Sequence, residues 1–439
     1  MTPIEVDLLI EARWVIPVEP DNTTLEHHSV AIRDGKIVEV LPTSDARTRF
    51  SARETAQLPN HILIPGLVNL HCHAAMTLMR GLADDLPLMR WLQEAIWPTE
   101  ARHVSPAFVR DGSLLAGAEM LRGGITTCND MYFFPEATAE AFDRLGLRAV
   151  LGITVLEFPS QYAADADDYL HKGLAAHDAW RDHPYIRFAL APHAPYTVSN
   201  RTFERVGALA DELDLPIHIH VHETATEISD SLREHGQRPI ARLDALGLLG
   251  PNLIGVHAVH LDNEDIQRLA LHGCAVAHCP TSNMKLASGA APIPALLERG
   301  ITVGLGSDGA ASNNRLDLFR EMHQASLLAK LSSSDASSVP AHHALHMATL
   351  AGARALGLDA QIGSLLPGKA ADICAIQMDE ADELPCFDPV SHLVYVLGRR
   401  SVSDVWVAGE ARVAGGKLLQ ITNTELLSTV RLWQNKFRQ

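Results

Sequence analysis

A chain of 439 residues that is 47% hydrophobic has enough apolar material for a large core, and its length suits two or three domains or one barrel with an appendage. A formal charge of −17 sets it against nucleic-acid backbones and anionic membranes, which would repel it, and favours a small neutral or cationic partner. The six cysteines include no CxxC pair, the N-terminus has no basic signal-type leader, and no apolar run approaches ~18 residues, so a cytoplasmic protein without a membrane span is expected.

Residues 4–60 read as short strands at 6–10, 14–17, 29–32 and 37–41, the last two joined by an Asp34-Gly35 hairpin turn. From 62 onward, apolar strand-like runs alternate with amphipathic helical stretches such as 108–121, 199–213 and 317–331. Eight runs are present, at 62–73, 125–132, 148–156, 186–196, 216–223, 253–261, 274–282 and 301–309. This β-then-α alternation predicts a (β/α)8 TIM-like barrel. Short strands return at 373–377, 405–407 and 412–414, with turns at Gly409 and Gly415-Gly416, and an amphipathic helix over 424–437 follows. Neither terminal piece has enough apolar surface to stand alone, so the two are expected to join as one small β-sandwich domain beside the barrel. The expected division is 1–61 for the N-terminal part of the sandwich, 62–365 for a metal-dependent barrel, and 366–439 for the C-terminal part with the terminal helix.

In such a barrel, catalytic groups sit at the carboxyl ends of the strands. The first run ends in His71 and His73, whose i, i+2 spacing puts both imidazoles on one face of a strand, where they can meet one ion. The fourth ends in His193, the fifth in His218, His220, His222 and Glu223, the sixth in His257, the seventh in His278 and the eighth in Asp308. In the eighth run Thr302, Gly304 and Gly306 share the parity of Asp308 and are small, which leaves room above the strand for a ligand or ion. Three neutral imidazoles and one carboxylate suit Zn2+, one per subunit, with Fe2+ or Mn2+ as alternatives, and leave an open position for a water that would ionise near pH ~7. Spacing does not choose among His218, His220 and His222, which share a face, and it does not orient Glu223. A two-metal site bridged by a carboxylated lysine is disfavoured, because Lys172, in a helix-like stretch, is the only lysine between His73 and His220.

The informative motifs are Pro65-Gly66-Leu67-Val68-Asn69-Leu70-His71-Cys72-His73, Pro192-His193-Ala194-Pro195-Tyr196, His220-Val221-His222-Glu223-Thr224, His257-Ala258-Val259-His260, His278-Cys279-Pro280-Thr281-Ser282-Asn283 and Gly306-Ser307-Asp308-Gly309. With these, in this order, the chain resembles the amidohydrolase superfamily over nearly its whole length, and most closely its 5′-methylthioadenosine/S-adenosylhomocysteine deaminase branch. The resemblance implies His71, His73, His220 and Asp308 as metal ligands, and Glu223, His257 and Asp308 as catalytic groups sharing the proton work. It implies that Glu100, in Trp97-Pro98-Thr99-Glu100, holds the ribose hydroxyls and that His193 and Glu223 contact the nucleoside. It further implies a homo-oligomer, a dimer or tetramer, with a purine nucleoside as its small-molecule partner.

Deamination of an adenine nucleoside needs water to attack C6 of the purine while N1 gains a proton. On the implied roles Glu223, as the neutral acid, gives that proton, Asp308 takes the proton of the water, and His257 orients it. Some family members bind the amino-acid carboxylate of S-adenosylhomocysteine with arginines just after the third strand. Here residues 149–171 contain no Arg or Lys and carry Glu157, Asp165, Asp167 and Asp168. The expected preference is therefore 5′-methylthioadenosine, then adenosine or 5′-deoxyadenosine, with S-adenosylhomocysteine poorer. Met76, Met79, Trp91 and Trp97 are candidates to line an apolar methylthio pocket. The alternative is a deaminase or chlorohydrolase of the same superfamily acting on a free base such as guanine, a pterin or a triazine. The cytidine-deaminase type of zinc site needs P-C-x-x-C, which this chain lacks.

Overall fold

The computed structural model describes residues 2–438; positions 1 and 439, at the ends of the two terminal pieces, lie outside the described residues. Four strands come from the N-terminal region: β1 (Ile4–Val15), β2 (Leu25–Arg33), β3 (Lys36–Pro42) and β4 (Phe50–Pro65). The β2–β3 hairpin turns through Asp34 and Gly35 with φ of 53° and 72°, the double left-handed conformation that a two-residue turn requires. β1 is one strand where two were expected, with a register shift between Ala12 and Trp14. β4 was not legible at 51–57, a polar stretch that nonetheless pairs parallel with β1.

The run at 62–73 is two strands. Ile62–Pro65 closes β4 and pairs antiparallel with a C-terminal strand, so the expected division at 61/62 falls inside β4. The chain then passes Gly66, where a Cβ would come within 2.0 Å of Thr126 Oγ1, and enters the barrel. Only a glycine fits that crossing.

The barrel strands are β5 (Leu67–Cys72), β6 (Ile125–Tyr132), β7 (Arg148–Val155), β8 (Ile186–Pro192), β9 (Ile217–Val221), β10 (Leu253–His257), β11 (Ala275–His278) and β12 (Thr302–Leu305). They pair in parallel, each with its sequence neighbours. Every residue of β6 and β7 is buried, as expected for strands covered on both faces. β12 meets β5 through side chains: Ser307 N donates to Asn69 Oδ1 at 2.9 Å, and Asn69 Nδ2 to Ser307 Oγ at 2.8 Å. Asp308 N donates to His71 O at 3.0 Å.

This closure corrects one expectation. Gly304 and Gly306 do not leave room for a ligand; a Cβ on Gly304 would come within 2.7 Å of Leu70 Cδ2 and one on Gly306 within 2.9 Å of His71 Cβ. Their smallness lets β12 lie against β5, which brings Asp308 beside His71.

The C-terminal strands β13 (Ile373–Gln377), β14 (Val402–Val407), β15 (Glu410–Ala414) and β16 (Lys417–Leu418) join β4 and β1–β3 in one eight-stranded sheet. As expected, the two terminal pieces build one domain, a curled sheet tied across where Ala371 N donates to Gly35 O in the β2–β3 turn and Gly409 N, in the β14–β15 turn, to Ala371 O, both at 2.9 Å. Ile10, Ile32, Ile37, Leu63, Ile373 and Trp406 fill the curl. The helix Asn423–Phe437 sets Trp433 edge-on to Phe108, with ring centroids 5.2 Å apart. Among the described residues, no helix is long and apolar enough to cross a membrane.

Candidate active site

The carboxyl ends of the barrel strands gather the polar groups that the sequence marks. His71 and His73 leave β5 on one face, and β9 brings His220 to them. His71 Nε2 lies 3.3 Å from His220 Nε2 and 3.4 Å from Asp308 Oδ1, while His73 Nε2 lies 3.3 Å from Asp308 Oδ1. Four donors held 2.0–2.1 Å from a tetrahedral ion would be roughly 3.3–3.4 Å apart, so these edges match a zinc-sized ion. The donors form two overlapping triads sharing His71, one with His73 and Asp308 and one with His220 and His257.

The outer nitrogens fix the tautomers. His73 Nδ1 donates to Met131 O at 2.6 Å and His220 Nδ1 to His193 O at 2.8 Å, leaving each Nε2 lone pair facing inward. His71 Nδ1 lies 3.0 Å from His218 Nε2. Burial pushes His71 down to about 4 and His220 well below its ordinary value, so both present neutral imidazoles. On Asp308 burial acts upward, but His71 and His73 outweigh it and hold the carboxyl well below the usual range. Its Oδ2 accepts from Ser282 Oγ at 2.6 Å and Ser312 Oγ at 2.9 Å, while Oδ1 accepts from Gly309 N at 2.7 Å and faces the histidines.

Of the three histidines at the end of the fifth run, His218 and His220 share the inner face and His222 does not. The chain leaves β9 at Val221, and His222 takes φ of 55°, which breaks the alternation. Its ring turns outward, where Nε2 accepts from Ile240 N at 3.1 Å. His257 and Asp308 are also left-handed, with φ of 71° and 58°. Such backbone in non-glycine residues concentrates where side chains must be aimed.

Beside the donors, Glu223 Oε2 lies 3.7 Å from His257 Nε2, and His257 Nδ1 donates to Asn283 Oδ1 at 2.9 Å. Burial pushes Glu223 up. On His257 burial acts downward, but the carboxylates of Glu223 and Asp308 outweigh it and its pKa is raised. His193 is also drawn in: its ring centroid is 4.9 Å from that of His220, and burial pushes it down to about 3. His278 is buried but stands outside both the donor group and the cavity lining.

These groups floor a cavity of about 370 Å³. One wall is a helical segment whose Leu88, Trp91, Ile96, Glu100 and Val104 face inward across a π-helical turn, Leu92–Ile96. Glu100 accepts from the Tyr132 hydroxyl at 2.7 Å; burial in this wall pushes its carboxyl up to about 7, against the pull of Tyr132. Met76, Trp91 and Trp97 line the cavity as expected. Met79 does not, being packed with Phe108 and Trp433. Among the described residues the lining has no lysine or arginine.

Residues 62–412 match the amidohydrolase family. The chain belongs to that family. It is 47% identical over 431 residues to a 5-methylthioadenosine/S-adenosylhomocysteine deaminase of Teredinibacter turnerae, with 98% of each chain covered. Its fold matches that of an adenosine deaminase from Xanthomonas campestris with bound zinc at a TM-score of 0.98 and 47% identity, covering 99% of each chain. An atrazine chlorohydrolase from Arthrobacter aurescens TC1 complexed with zinc matches at a TM-score of 0.90 and 25% identity, over 97% of this chain and 99% of that one. As an amidohydrolase the chain is a metal-dependent hydrolase, and its converging donors suit a divalent ion.

Several lining residues escaped the sequence reading, among them Tyr132, Phe158 and Gln161. Tyr132 is the last residue of β6, so the strand-end rule that found the histidines also reaches it. Gln161 and Phe158 sit in the loop after β7, where composition gives no signal.

Proposed function

We propose that the chain deaminates an adenine nucleoside by hydrolysis, converting 5′-methylthioadenosine to 5′-methylthioinosine and ammonia, with zinc as its resident ion. Adenosine and 5′-deoxyadenosine follow as substrates, and S-adenosylhomocysteine is poorer. The observation that carries this reading is the layout of one cavity, with proton-handling groups at its floor, a carboxylate on its wall and, among the described residues, no lysine or arginine in its lining.

His71, His73, His220 and Asp308 would hold the ion, which when bound supplies a water that ionises near pH ~7. Glu223, whose carboxyl burial pushes up, donates to purine N1 as negative charge develops on the ring. Asp308 removes a proton from the attacking water and returns it to the departing amine. His257, held by Asn283, orients the water from its Nε2 side. Water adds its oxygen to C6, the amino group leaves as ammonia, and the proton left on the C6 hydroxyl passes back to Glu223 as the carbonyl forms, so the protons balance. Glu100 accepts from the ribose hydroxyls, and His193 contacts the nucleoside. The 5′ group then meets apolar wall, which suits a methylthio group. An amino-acid tail would place a carboxylate in a lining that, among the described residues, offers it no arginine or lysine.

The test is ultraviolet-monitored deamination by purified enzyme, with and without prior chelation. Chelator-sensitive turnover with kcat/KM higher for 5′-methylthioadenosine than for S-adenosylhomocysteine is expected; the reverse order would overturn the substrate assignment.

A further inference from the structure

Glu223 owes its position to a turn that begins one residue after β9 ends. His222 is left-handed there, and neither its amide nor that of Glu223 has a strand partner. Both amides find the same carboxylate: Glu227 Oε1 accepts from His222 N at 2.9 Å and Glu227 Oε2 from Glu223 N at 2.9 Å. Glu227 is itself buried, at 6% exposure, in the first turn of the helix Ala225–His235.

The local sequence, Thr224-Ala225-Thr226-Glu227, has the spacing of a capping box, in which the fourth residue reaches back to the amide of the first. The first half of that motif forms, with Thr224 Oγ1 accepting from Glu227 N at 3.2 Å. The second half does not: Glu227 reaches one and two residues further, past Thr224 to Glu223 and His222. Holding two adjacent amides at once takes a side chain with two acceptor oxygens, which a carboxylate has and an amide lacks. Glu227 is absent from the cavity lining, so it acts through its neighbours.

We propose that Glu227 is a positioning residue for proton transfer, its carboxylate clamping the His222 and Glu223 amides so that the Glu223 carboxyl is aimed at the substrate ring. This rests on the reading of Glu223 as the proton donor. Removing one arm of the clamp lets the turn relax, and a displacement on the order of 1 Å in a catalytic group costs ~10²-fold in rate.

The experiment compares Glu227→Gln, which keeps one acceptor, and Glu227→Asp, which keeps the charge but draws both oxygens back by one methylene, with the metal-loaded wild-type enzyme. Each variant should lose roughly 10- to 100-fold in kcat on 5′-methylthioadenosine with KM and bound metal unchanged. In a Glu223→Gln background, adding Glu227→Gln should cost less than ~3-fold more, since the group being aimed is gone. A wild-type kcat in Glu227→Asp, a loss of metal, or an undiminished effect in the Glu223→Gln background would overturn the proposal. If Glu223→Gln keeps full kcat, the proton-donor reading itself falls; if that variant is crippled while both Glu227 variants are not, only the clamp falls.

Discussion

Glu100 separates a nucleoside enzyme from one that acts on a free base. One of its oxygens is taken by the Tyr132 hydroxyl at 2.7 Å, and on the proposed reading the other accepts from the ribose. A hydrogen bond to a charged acceptor contributes about 1.5–3 kcal/mol. Glu100→Ala should therefore lower kcat/KM on adenosine or 5′-methylthioadenosine by roughly 10- to 150-fold, since about 1.4 kcal/mol is tenfold. On free adenine the same change should matter little. The pKa of about 7 adds a signature in the wild-type enzyme. Only the ionised form has both oxygens free to accept, so the nucleoside-to-adenine ratio of kcat/KM should fall about tenfold from pH ~8 to pH ~6, with processes shared by the two substrates cancelling. Tyr132→Phe removes the donor that pulls the Glu100 pKa down, so the pKa rises and the fall begins at higher pH. The assay is the loss of purine absorbance under kcat/KM conditions for both substrates. An equal loss on adenine and adenosine in Glu100→Ala would refute ribose recognition by this carboxylate and favour a free-base substrate.

Two further predictions concern the ion and the joint between the sheets. His73→Ala removes a donor from the triad with His71 and Asp308, and is expected to leave sub-stoichiometric metal by elemental analysis and no measurable turnover; metal and activity both at wild-type level would contradict the ligand set. Arg148, at the start of β7, meets Asp372 through Nε at 3.1 Å and Nη2 at 3.3 Å, and both side chains are buried. Arg148→Ala leaves that carboxylate without its charge partner and should destabilise the protein by about 3–5 kcal/mol, read as a shift in denaturant midpoint. A shift corresponding to less than about 1 kcal/mol would mean that Ala408 N, which also donates to Asp372 Oδ1 at 2.7 Å, suffices to satisfy it.

The barrel and its donor group were legible because they depend on short-range rules. Apolar runs mark parallel strands, and once a barrel is expected a rule restricted to strand ends picks out His71, His73, His193, His257 and Asp308, and with them His278, which stands outside the donor group. The reading fails where the backbone departs from its period. Parity puts His222 with His218 and His220, yet a single φ of 55° turns its ring to the other side, and no side-chain pattern announces a left-handed histidine. The glycines of β12 show the converse error: their smallness was read correctly as a need for space, but the space belongs to β5, a partner more than 200 residues away in sequence.

Glu227 carries both lessons in one side chain. Its spacing from Thr224 predicts the helix start correctly, and half of the capping pattern forms. The other half is diverted, because a left-handed His222 presents two amides in succession that the fold must satisfy. A carboxylate that local rules place at a helix terminus is thereby bound to the backbone of the residue next to the chemistry. This is why the helix after β9 and the aim of Glu223 should respond together to one substitution, although no atom of Glu227 lines the cavity.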